Sequence, residues 1–102
     1  MAKSRLELQA KLEELLGLKH VYYQPPENLK MEYPAIRYSL SDIESKYADD
    51  IKYSNFKCYD IVVIDEMPDN KVIEKILNLP FSSFDRHYVS DNLNHDIIKL
   101  YY

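Results

Sequence analysis

Apolar positions near the start of the chain recur with a helical period. Leu8, Leu12 and Leu15 stand at i, i+4 and i+7, and Leu16 widens the stripe, so these side chains share one face of a 3.6-residue repeat. Ser4 and Glu7 have the form of a capping box, and Gly17 stands where a left-handed cap is wanted. The pattern predicts a helix over residues 5–16 with Lys11, Glu13 and Glu14 on its outer face.

The period then changes to two. His20 to Gln24 is a short β-prone run closed by Pro25-Pro26, and residues 25–32 read as a loop because neither proline can donate to a ladder. From Pro34, Ile36, Tyr38 and Leu40 alternate with Ala35, Arg37 and Ser39, a strand with one buried face. Ser41 to Asp50 is polar and acidic without a clear period, a long loop or a strand extension. Tyr53 to Asp65 resumes as a strand, and its Ile61-Val62-Val63-Ile64 centre is apolar on both faces, which marks a central position.

Met67-Pro68-Asp69-Asn70 ends that strand, with Asp69 as the expected N-cap. Val72, Ile73, Ile76 and Leu77 form a helical stripe bounded by Pro80, predicting a helix over 70–78. Phe84–Ser90 and His95–Tyr102 alternate as the arms of a hairpin with Asp91-Asn92-Leu93-Asn94 as turn residues; Ile98, Leu100 and Tyr102 face opposite to Ile97, Lys99 and Tyr101. The order α-β-β-β-α-β-β predicts an α+β fold, a mostly antiparallel sheet with two helices packed on one face. The other face is left to solvent or to contact, and tyrosines at alternating strand positions favour contact.

Size and composition narrow the function. The 102 residues fit one domain, 1–102, with one core. A formal charge of −4 has the wrong sign for a DNA grip, yet suits a surface that DNA slides past. A single cysteine, Cys58, suits a reducing compartment. No signal peptide and no membrane-length apolar run are seen, so a cytoplasmic, membrane-free protein is expected. One glycine leaves tight turns to Asn, Asp and Pro, and ten tyrosines without tryptophan suggest half-buried sheet surface or interface.

No reactive constellation emerges. One glycine excludes a phosphate loop or dinucleotide fingerprint. A three-residue hairpin loop would set His87 opposite His95, close enough to share a metal or titrate together, but two polar residues on a wet hairpin face is the favoured reading. Cys58 falls mid-strand, where a thiol is usually a small buried hydrophobe. Asp60, Asp65 and Glu66 resemble a metal-nuclease strand only in outline, and Asp65-Glu66 reads better as a strand end. Neither an enzyme nor a cofactor is expected. Asp42, Glu44, Asp49 and Asp50, with Lys46 and Lys52 between them, read either as a solvated loop or as a projection that touches a partner or lines a DNA-conducting pore.

Several stretches resemble one family. They are Met1 to Leu8, Tyr23-Gln24-Pro25-Pro26, Tyr33-Pro34-Ala35-Ile36, Tyr47-Ala48-Asp49-Asp50 and Asp65-x-x-Pro68-Asp69. The most specific are Ser83-Phe84-Asp85-Arg86-His87-Tyr88 and Asp91-Asn92-Leu93-Asn94-His95-Asp96. Together they are similar to the small tail terminator or tail completion proteins of long-tailed bacteriophages and phage-tail-like particles. The resemblance implies a ring, commonly hexameric, that caps the tail tube and offers the head connector a docking surface. The implied partners are further copies of the chain, the tail tube protein and the head–tail connector, with DNA only as a passing strand. The implied location is the virion, after assembly in the host bacterial cytoplasm. A head–tail adaptor, a minor tail protein or a small non-viral intracellular binding module are the alternatives. Asp42, Glu44, Tyr47, Asp49 and Asp50 are the expected partner or lumen contacts, and Tyr53, Tyr88, Tyr101 and Tyr102 the expected subunit interface.

Overall fold

The computed structural model describes the backbone of residues 4–48 and 51–102 and the side chains of 4–41 and 57–102. Helix α1 (Arg5–Leu16) begins where expected: the Ser4 hydroxyl accepts from the Glu7 amide at 3.2 Å. It ends at Gly17, whose φ of 79° lets its N–H reach back to the Glu13 carbonyl, a left-handed geometry that a side chain would strain. Leu8 and Leu12 are fully buried and face the sheet.

Five strands follow the expected order: β1 (Val21–Tyr23), β2 (Ala35–Ala48), β3 (Ile51–Asp65), then after helix α2 (Val72–Leu77) the strands β4 (Ser82–Ser90) and β5 (Leu93–Tyr101). They form one sheet in the order β1-β2-β3-β5-β4, antiparallel except for the parallel β1–β2 pair. The fold is α+β. Strand β3 is central, as its doubly apolar Ile61–Ile64 segment requires, and those four residues are all buried.

Both helices pack on one face, where Leu8, Leu12, Val72 and Ile76 meet Ile36, Tyr38, Tyr59, Ile61, Ile98 and Leu100. On the opposite face Val62, Ile64 and Ile97 form a smaller cluster under Met31, Tyr88 and Leu93. Cys58 is buried, as a mid-strand thiol should be.

The hairpin departs from the expected register. Its turn is only Asp91-Asn92, with φ of 53° and 62°, the pair of positive values that a two-residue type I′ turn requires. His87 therefore stands opposite Asp96, and His95 opposite Tyr88. The two histidines are not cross-strand neighbours. Nδ1 of His87 lies 2.9 Å from Asp96 Oδ1, while His95 stacks on Tyr88 with centroids 4.6 Å apart.

Helix α2 is also shorter than expected. Asp69 does not cap it; its φ is 62°, and the capping bond comes from Asn70, whose Oδ1 accepts from the Val72 amide at 2.9 Å. The Asn70 Nδ2 donates to Asp65 Oδ2 at 2.8 Å, and Asp65 Oδ1 accepts from the Met67 amide. Asp65 thus closes the strand end.

As far as Ala48, the polar stretch after Ser41 is strand extension. Strands β2 and β3 stay paired from Asp42↔Cys58 out to Ala48↔Ile51, whereas β5 accompanies β3 only along Cys58–Asp65. Beyond that point the pair continues as a two-stranded ribbon of about 20 Å at the usual strand rise.

Candidate functional site

The open face of the sheet holds a cleft of about 490 Å³. Its construction follows from register. Arg37 pairs with Val62, Val62 with Ile97, and Ile97 with Arg86, so the four residues form one row across β2, β3, β5 and β4. The floor of the row is apolar and each end carries a guanidinium. Arg37 arrives there by strand alternation, facing away from Ile36 and Tyr38. Arg86 arrives through a bulge: Phe84 pairs with Ile98 and Arg86 with Ile97, which leaves Asp85 as the extra residue. Asp85 and Arg86 consequently both line the cleft, which strict alternation would forbid.

Gln24, Pro25 and Ser39 close one side and Tyr88 another. Asp60 lies on the next row with Lys99, whose Nζ is 3.8 Å from its Oδ1, and that occluded oxygen accepts no hydrogen bond. Among the described residues neither Arg37 nor Arg86 has an ion-pair or hydrogen-bond partner.

The helix-covered face is fully engaged in structure. The Tyr38 hydroxyl donates to Gln9 Oε1 and accepts from Arg5 Nη1, while Gln9 Nε2 donates to the Val21 carbonyl. Arg5 also sits over the Tyr23 ring at 4.4 Å, and the Tyr23, Tyr38 and Tyr59 rings pack in series, the first pair tilted and the second edge-to-face. Burial raises the phenol pKa values of Tyr38, Tyr59 and Tyr102. Thus the tyrosines at alternating positions Tyr38 and Tyr59 serve the core.

Of the residues singled out from sequence, Asp42, Glu44 and Tyr47 belong to the β2 half of the ribbon and Tyr53 to the β3 half, with side chains outside the described residues. Asp49 and Asp50 lie outside the described residues altogether. Tyr88 lines the cleft, Tyr101 is at the end of β5 and partly exposed, and Tyr102 packs against the helix-side core. Sequence reasoning missed Arg37 and Arg86. The alternation that put Arg37 on the outer face was available; the bulge that turns Arg86 to the same row had no sequence signal.

Among the described residues no group of three or more His, Cys, Asp or Glu side chains could hold a metal ion, and no helix is long and apolar enough to cross a membrane. Models of known protein families and a search of curated proteins give no match to this chain.

Proposed function

We propose that this chain is a structural subunit of a long-tailed phage or phage-tail-like particle, a tail terminator or tail completion protein. It closes with further copies into a ring, hexameric by the resemblance above, which caps the tail tube and meets the head–tail connector. It works as a surface, with no reaction and no cofactor, and DNA only passes through it.

The observation that carries this reading is the uncovered β structure. A lone two-stranded ribbon is marginally stable in water, yet β2 and β3 continue well past the last residue that β5 covers. At the opposite side, β4 is the outermost strand, and Phe84 and Val89 on it are 47% and 62% exposed, with Phe81 beside it at 78%. Such an edge pairs readily with another chain, and ring closure covers edges by repetition. In this reading the acids Asp42, Glu44, Asp49 and Asp50 are the contacts to a neighbour or the lumen, and negative charge there keeps DNA from adhering.

Light scattering and negative-stain imaging of the purified chain, alone and with tail tube protein, test the reading. Ring-shaped particles with a mass several times the protomer's are expected. A chain that stays monomeric at every concentration, with and without tube protein, contradicts it and leaves a small binding module.

A further inference from the structure

The cleft on the open face matches a sequence in the ribbon. We propose that the cleft between Arg37 and Arg86 receives the acidic stretch Asp42-Ile43-Glu44 of a second copy of this chain. This deepens the ring assignment above and rests on it.

Three strand spacings separate the two arginines, about 14 Å between Cα atoms. One carboxylate cannot serve both. An extended segment laid across the strands with acids two positions apart presents them about 7 Å from each other, and the two guanidiniums span what remains. Asp42 and Glu44 have that spacing, in unbroken register with Cys58 and Phe56. The floor between the arginines is Val62 and Ile97, which contribute no competing polar side chain. Guanidiniums without partners are available for charge-assisted bonds to carboxylate.

The occupant must come from another copy. Asp42 lies five positions beyond Arg37 on the same strand, about 16 Å away, and the ribbon leads away from the cleft. A second copy has no such restriction.

The charges around the floor favour a polypeptide over a nucleic acid. Arg37, Arg86 and Lys99 are accompanied by Asp60 and Asp85. Those two carboxylates would repel a run of phosphates, whereas an extended peptide brings backbone N–H groups as well as acids.

A charge-exchange experiment tests this. One full-length chain carries Arg37→Glu and Arg86→Glu, and another carries Asp42→Lys and Glu44→Lys. Circular dichroism and a urea midpoint establish that each is folded; if the arginine reversal prevents folding, Arg37→Gln with Arg86→Gln replaces it. Association is measured by sedimentation at low salt. Each variant alone is expected to associate at least about thirtyfold more weakly than wild type. With the reversed arginines, mixing the two variants should restore association. Undiminished association of a folded arginine variant, or no rescue in the mixture of charge reversals, overturns the inference while leaving ring assembly intact. A wild-type chain that never associates, even with tube protein, overturns both. Duplex DNA retention that disappears in the arginine variant while association is unchanged assigns the arginines to phosphate and also overturns it.

Discussion

Arg37 and Arg86 stand at opposite ends of a single cross-sheet row, joined through Val62 and Ile97. They are far apart in sequence and reach the same face by different means, one by alternation and one by a bulge. Neither is paired within the described protomer. A charged side chain without an internal partner contributes little to folding, so Arg37→Gln should change the unfolding free energy by less than about 0.5 kcal/mol. Urea denaturation of the protomer at low concentration measures this. A loss of several kcal/mol would show that the guanidinium serves the fold.

Tyr38 presents the opposite case. It is 1% exposed, and its hydroxyl joins α1 to β2 through Gln9 and Arg5. Tyr38→Phe keeps the ring and leaves Gln9 Oε1 short of a donor. The expected cost is about 1–3 kcal/mol, read as a lowered urea midpoint with an unchanged slope. No loss would mean that water replaces the bond without penalty.

The same phenols set the alkaline limit. Burial raises the pKa of Tyr38, Tyr59 and Tyr102 above the ordinary phenol value. The folded chain then holds these protons more tightly than the unfolded one. Their contribution is fully present below about pH 10 and is lost as pH rises through the folded values. Urea midpoints taken from pH 8 to 11 should be flat in this respect at first and fall above about pH 10, less steeply in Tyr38→Phe. A midpoint that rises over that interval contradicts the assignment.

Asn70 links the end of β3 to the start of α2, accepting from Val72 and donating to Asp65. Asn70→Ala removes a helix cap and one partner of a carboxylate, for an expected loss of about 1–2 kcal/mol. Asp69→Gly should do less, because Asp69 does not supply the capping bond and glycine accepts its φ of 62°. Thermal or urea unfolding of the two variants distinguishes them, and equal losses would contradict the cap assignment.

What could be read from sequence was local. Ser4, the leucine spacing and Gly17 each act within one helix, and all three were legible. The doubly apolar Ile61–Ile64 segment could place β3 at the centre because a strand covered on both faces has no polar side. The hairpin was legible, but not its register: either Asp91-Asn92 or a longer turn suits those residues, and one residue of slip exchanges His95 for Asp96 opposite His87. The ribbon was not distinguishable from a loop, since the polar sequence Ser41–Ala48 shows no clear period. The abundance of tyrosine pointed outward, whereas Tyr38 and Tyr59 are core residues; for Tyr38 the hydroxyl's partners lie distant in sequence. The cleft depended on a bulge at Asp85, a product of pairing between β4 and β5.

Imaging of phage particles assembled with and without this chain tests most directly the assignment to the tail end. The account predicts that particles lacking it show overlong tails or full-length tails detached from heads, and that supplying the chain restores joined particles of uniform tail length. Normal tails joined to heads in its absence would contradict the account.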